Sequence, residues 1–153
     1  MADFLLDTDT ASRLLLADRP TVTAMRRSGA KEIGISAVTQ SELLYGARLR
    51  TGKPALMAAV RAFLARVTVH PWDDAAAEQH ALIRANAKAH GRSAGVFDIM
   101  IAAHARALSA TLVTSDAAIG SLGVDGLQVA DWRGVVTHTR SHPQWGHVEF
   151  VAD

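Results

Sequence analysis

"FLLDTD", residues 4–9, is a short apolar run that ends in acids, and a similar run, "TLVTSD", spans residues 111–116. Between them, short apolar runs alternate with longer stretches of helical periodicity, a pattern typical of strands and helices in turn. Strands that alternate with helices of this length usually lie parallel, because the helix makes the crossover connection. The sequence therefore predicts an α/β domain with a mainly parallel central sheet flanked by helices.

The apolar runs place the predicted strands at 4–6, 33–36, 67–69, 111–114 and 127–129. The periodic stretches place the predicted helices at 21–28, 39–50, 55–66, 73–90 and 97–109. We assign residues 1–134 to one domain and residues 135–153 to a C-terminal tail. The tail is predicted to be disordered or derived from an expression vector, because residues 141–144 resemble the core of a streptavidin affinity tag.

The bulk composition fits one folded domain and excludes several kinds of site. The chain has 153 residues, of which 49% are apolar, enough to form a sizeable core. It has no cysteine, which excludes disulfides, thiolate metal ligands and cysteine nucleophiles. We expect neither a secretory signal nor a membrane span, and we expect a cytoplasmic protein. The net charge of +1 does not itself indicate nucleic-acid binding, although a local basic rim can surround an acidic cluster.

Four acids fall where the sites of parallel sheets are found, beyond the carboxyl ends of the strands. Asp7 and Asp116 follow the first and fourth predicted strands. Glu42 and Asp98 lie in the first turns of their predicted helices. Four separate elements are therefore expected to bring four carboxylates to one edge of the sheet.

Clustered carboxylates repel one another and are costly to bury unless a cation compensates them. Their hard oxygen atoms favour Mg²⁺, with Mn²⁺ as a possible substitute. Such an ion can activate a water molecule and stabilise negative charge on a phosphate, which is the chemistry of phosphodiester hydrolysis.

Each acid also has a structural interpretation that needs no metal. Glu42 could complete a capping box with Thr39, and Asp98 could simply favour the start of its helix. Asp116 could be a turn residue or the N-cap of a following helix. Asp7 is harder to explain in this way, and the joint placement of all four favours a site.

Four stretches together resemble the PIN-domain nucleases, specifically the VapC-type toxins of bacterial toxin–antitoxin pairs. They are residues 5–9, 35–47, 97–105 and 110–116, and their order and spacing agree over residues 3–132. The resemblance implies that Asp7, Glu42, Asp98 and Asp116 bind the metal and that Thr114 supports them. Thr8 and Asp9 are assigned to the site as further supporting residues. The family usually has Asn at the position of Asp9, and often at that of Phe97.

The resemblance also implies Mg²⁺-dependent cleavage of RNA, a homodimer, and a cognate antitoxin whose C-terminal segment blocks the site. Two alternatives stay open from the sequence. One is a PIN-type nuclease that processes or degrades RNA as a housekeeping enzyme. The other is a binding module without turnover, against which the presence of all four acids argues.

Overall fold

The computed structural model describes residues 3–133 together with the strands at 140–142 and 146–150. The strands are β1 (Phe4–Leu6), β2 (Ile33–Ser36), β3 (Thr68–His70), β4 (Thr111–Val113), β5 (Val129–Asp131), β6 (Arg140–His142) and β7 (Gly146–Phe150). They form a seven-stranded sheet in the order β3-β2-β1-β4-β5-β7-β6. Neighbours from β3 to β7 are parallel, and β6 runs antiparallel to β7. The predicted α/β fold with a mainly parallel sheet is therefore confirmed.

Helices cover both faces of this sheet. They are α1 (Thr8–Leu15), α2 (Arg19–Arg27), α3 (Ala37–Leu49), α4 (Pro54–Leu64), α5 (Asp74–Ala89), α6 (Val96–Ala107) and α7 (Ala117–Ser121). Successive residues of a strand point to opposite faces, so Leu5 and Leu6 enter different cores. Leu5 packs in the core formed with α5, α6 and α7, whereas Leu6 packs in the core formed with α1, α3 and α4. No helix of the described residues is long and apolar enough to cross a membrane.

Helices α1 and α7 and strands β6 and β7 were not predicted, and the boundaries of several other elements, β5 among them, differ from the prediction by one or two residues. Helix α1 was not predicted because it has only eight residues and a largely polar sequence, and Asp7 caps it by accepting the Thr10 N–H at 2.8 Å. Helix α7 has five residues, too few to show a helical period. Strand β5 begins two residues later than predicted because Leu127 belongs to the core beside a turn at Gly126, where φ is +74°. The predicted domain boundary at residue 134 lies outside the described residues.

A buried hydrogen bond connects the helices that follow β2 and precede β4. Ser36 is the N-cap of α3 and accepts the Val38 N–H, and its Oγ lies 2.8 Å from Nδ1 of His104 on α6. Burial, followed by the nearby His70, lowers the pKa of His104 and keeps its imidazole neutral. The contact therefore fixes the start of α3 against α6.

Candidate metal centre

The carboxyl edge of the sheet brings Asp7 and Asp116 to the same end of the molecule. Strands β1 and β4 are paired in parallel, and the Asp7 N–H donates to the carbonyl of Val113, the last residue of β4, at 3.0 Å. Asp7 follows β1 directly, and Asp116 follows β4 after two residues. The sheet pairing itself therefore places these two acids on one edge.

Asp7 is the most deeply buried of the four acids, with 4% of its surface exposed. Burial raises its pKa, while hydrogen bonds from Thr114 and Thr10 oppose that rise by stabilising the charged form. Thr10 also donates through its hydroxyl to the Val113 carbonyl at 3.2 Å. Asp7 is thus held in a fixed position by groups on α1 and beyond β4.

Glu42 lies in the second turn of α3, not in the first turn as the sequence predicted. The helix begins earlier than expected because Ser36, not Thr39, is its N-cap. This excludes the capping-box interpretation of Glu42 with Thr39. Instead, the Thr8 hydroxyl donates to Glu42 Oε1 at 2.6 Å, so a residue at the start of α1 orients the carboxylate.

Asp98 lies in the first turn of α6, as predicted, and faces the other acids. Burial raises its pKa to about 6, with further contributions from the charges of Asp116, Asp7 and Glu42. A hydrogen bond with Asp116 acts in the same direction. The other three predicted acids therefore lie close enough to Asp98 to affect its pKa.

Asp116 is the N-cap of α7 and accepts the Ala118 N–H at 2.8 Å through Oδ1. Its own N–H donates to the Thr114 hydroxyl at 3.0 Å, and Thr114 in turn hydrogen-bonds Asp7. The capping interpretation of Asp116 is thus correct, and it coexists with a place beside Asp98. Thr114 connects the acids that follow β1 and β4.

Asp9 lies at the exposed rim of this cluster. It pairs with Arg13 at 2.9 Å, one turn along α1, and accepts a longer hydrogen bond from Ser115. Thr10, which holds Asp7 in place, was not predicted from the sequence as a residue of the site. The motif Asp7-x-x-Thr10 is the signal that could have found it, since an Asp N-cap bonds the backbone N–H three residues on.

The four acids are neighbours but do not surround a common point. Among residues 3–133 and the two described C-terminal strands, no three His, Cys, Asp or Glu side chains are placed to hold one metal ion. Hydrogen bonds with Thr10, Thr8 and Ala118 explain this, because they draw Asp7, Glu42 and Asp116 toward separate partners. Each of these bonds occupies one oxygen of a carboxylate that has two. The oxygen-only donor set and its mutual repulsion are the chemistry that a hard divalent cation would compensate.

The raised pKa of Asp98 predicts how the stability of the metal-free protein depends on pH. An unfolded chain holds Asp98 near its ordinary pKa of about 3.9. The folded state therefore binds the Asp98 proton more tightly, and stability is lost as the pH rises toward about 6. We expect the melting temperature of Asp98→Asn to exceed that of the wild type by a margin that grows between pH 4 and pH 6 and then levels off.

Thermal unfolding in EDTA across this pH range measures that margin. Asp125→Asn is the control, because Asp125 is exposed and is not one of the four acids. Its melting temperature should equal that of the wild type at every pH. A constant difference between Asp98→Asn and the wild type at every pH would contradict the prediction.

Comparisons with known proteins agree with this architecture. The PIN domain family matches residues 4–124. A curated relative from Shigella flexneri, the tRNA(fMet)-specific endonuclease VapC, is 33% identical over 132 residues, which cover 86% of this chain and 99% of the relative.

Solved structures of VapBC complexes contain chains with a similar fold. DNA-bound VapBC from Salmonella typhimurium contains a chain that is 28% identical, with a TM-score of 0.78 and coverage of 86% of this chain and 99% of that one. VapBC-1 from nontypeable Haemophilus influenzae contains one that is 28% identical, with a TM-score of 0.73 and coverage of 84% and 97%.

Proposed function

We propose that this chain, which belongs to the PIN domain family and is an endoribonuclease toxin of the VapC type, cleaves RNA at a centre formed by Asp7, Glu42, Asp98 and Asp116. The observation that carries the proposal is the proximity of four carboxylates from four elements, close enough that the charges of three of them add to burial in raising the pKa of the fourth to about 6. Such a cluster is costly unless a cation compensates it. Mg²⁺ is the proposed ion, with Mn²⁺ as a substitute.

Neighbouring threonine side chains hold and orient the acids of the site. Asp7 is held by Thr10 and Thr114, and Glu42 is oriented by Thr8. Helix α6 begins at the site, so its N-terminal partial positive charge favours the acids and an approaching phosphate. A divalent cation, when bound, stabilises charge on the phosphate and makes water a better nucleophile.

The VapC relatives favour a toxin over a housekeeping nuclease. The name of the Shigella flexneri relative specifies a tRNA substrate, so we propose a structured cellular RNA of this class as the target. We propose that the enzyme acts in the cytoplasm, where such RNAs are found. A binding module without turnover would need neither the four acids nor the threonines that order them.

Incubation of the purified protein with total cellular RNA tests the proposed activity. We expect cleavage with Mg²⁺ or Mn²⁺ and none with excess EDTA, because the carboxylates alone cannot stabilise a negatively charged transition state. Restoring Mg²⁺ after EDTA treatment is the control for denaturation. Equal cleavage in EDTA would overturn the metal requirement.

A groove of about 230 Å³ beside the acids supports an antitoxin partner. Its apolar wall comes from α1, α3 and α4 and consists of Leu15, Leu16, Leu43, Leu56 and Val60. Thr8 and Glu42 line the same groove, so a bound apolar helix would continue into the acidic site. An Arg of the partner could then pair bidentately with the carboxylates and block them.

Leu16→Glu should weaken binding of this partner by roughly tenfold or more, because an apolar anchor at an interface core commonly contributes over 1 kcal/mol. Leu16 is 69% exposed, so the change should leave the fold and RNA cleavage intact. Leu82→Glu on α5, at a side chain 59% exposed, is the matched control. Titration with a small protein that copurifies with this chain from its native host measures both affinities, and equal affinities for the two variants would contradict the assignment of the groove. The homodimer stays a prediction, which sedimentation of the purified protein tests.

A further inference from the structure

The Asp98 carboxylate lies next to Gly95, the residue that caps the same helix. Gly95 is the N-cap of α6, and Asp98 stands three residues later in the first turn. A Cβ atom added at Gly95 would lie 2.6 Å from Asp98 Oδ2 and 3.4 Å from Asp98 Cγ. The Asp98 carboxylate therefore occupies the space that a side chain at position 95 would fill.

The backbone dihedrals at Gly95 do not require a glycine, although glycine is a better N-cap than alanine. The Gly95 φ of −58° and ψ of 148° are allowed for every L residue. Gly91, by contrast, has a φ of +62°, where a side chain is strained. Glycine at position 95 therefore also provides space, and the Asp98 carboxylate occupies that space.

We infer that Gly95 is a positioning residue that lets the Asp98 carboxylate fold back toward Asp7, Glu42 and Asp116. Its consequence for cleavage rests on the proposed function, whereas its consequence for the position of Asp98 does not. Any other residue at position 95 displaces the carboxylate, because a Cβ contact of 2.6 Å is shorter than the 3.0 Å below which such contacts are essentially never found, so the two atoms must separate by at least about 0.4 Å. The displaced atom is the end of a flexible side chain, so the fold itself accommodates the change.

Gly95→Ala is the test variant, and Gly120→Ala is its matched control. Gly120 lies on α7, another helix that begins at the site, but a Cβ there has no heavy atom within 4 Å. Crystal structures of both variants locate the Asp98 carboxylate. Titration with Mn²⁺ alone measures metal affinity, and steady-state cleavage separates kcat from KM.

We expect Gly95→Ala to move the Asp98 carboxylate, to weaken Mn²⁺ binding about tenfold, and to lower kcat by roughly 10- to 100-fold with little change in KM. Its melting temperature should lie slightly below that of the wild type, since alanine is a poorer N-cap than glycine, whereas that of Gly120→Ala should be equal or higher because alanine suits a helix interior. A merely structural role would leave the Mn²⁺ affinity and the kcat of the folded fraction unchanged.

An unmoved Asp98 carboxylate in Gly95→Ala, or Mn²⁺ affinity equal to that of Gly120→Ala, would overturn the inference. A wild-type protein that cleaves no RNA would instead overturn the proposed function. In that case the crystal structures and the Mn²⁺ titration still decide the role of Gly95.

Discussion

Asp98→Asn should lower the rate of RNA cleavage by roughly a hundredfold or more, the scale of losing a main stabiliser of transition-state charge. Asn keeps the size of the side chain but removes the negative charge that attracts the cation. Asp98 is the acid on which the other three act together, so its charge is the most closely coupled to the cluster. Asp7→Asn should have a similar effect, because Asp7 is the buried acid that Thr10 and Thr114 hold in place.

Loss of folding must be separated from loss of activity in this experiment. Asp74→Asn is the matched control, since Asp74 also lies in the first turn of a helix but is exposed on α5. It should cleave RNA at the wild-type rate. Asp98→Asn should melt no lower than the wild type without metal, because the substitution removes a repelling charge. Undiminished, EDTA-sensitive cleavage by both Asp98→Asn and Asp7→Asn would contradict the four-acid centre.

Leu112→Ala should destabilise the protein by about 2–5 kcal/mol, the usual cost of truncating a fully buried leucine. Leu112 is the middle residue of β4, between β1 and β5, and its surface is 0% exposed. The truncation leaves a cavity in the core formed with α5, α6 and α7. Since small domains are stable by only about 5–15 kcal/mol, such a loss is a large share of the total.

Urea unfolding measures this difference against Leu49→Ala. Leu49 ends α3 and is 66% exposed, so its truncation should change the free energy of unfolding by no more than about 0.5 kcal/mol. Equal unfolding midpoints for the two variants would contradict the position of Leu112 in the core. Folded Leu112→Ala should still cleave RNA, because Asp116 is held in place as the N-cap of α7.

The parallel sheet and its longer helices could be predicted from the sequence because their patterns are strong. The runs at 4–6 and 111–114 are apolar and short, and helix α5 is a sixteen-residue, alanine-rich stretch that starts at an Asp-Asp pair and is followed by Gly91. Helix α1 could not be predicted in this way, since its stability comes from the Asp7 cap and from packing against the sheet. Tertiary contacts of this kind leave little trace in local periodicity.

The membership of the candidate site was predictable, but its internal geometry was not. Placement beyond the strand ends indicated Asp7 and Asp116 because the sheet is parallel. The bond from Thr8 to Glu42 joins two residues that are 34 apart in the chain and lie on different helices, so no local spacing predicts it. The space over Gly95 depends on the rotamer of Asp98, which sequence alone does not specify.

Location of Mn²⁺ in crystals of the protein, by its anomalous scattering, tests the central claim most directly. The account predicts a peak at the carboxyl edge of the sheet, ligated by carboxylate oxygens from among Asp7, Glu42, Asp98 and Asp116, and lost in Asp98→Asn. A peak ligated elsewhere in the chain, or no peak in crystals of protein that cleaves RNA in a Mn²⁺-dependent way, would contradict it.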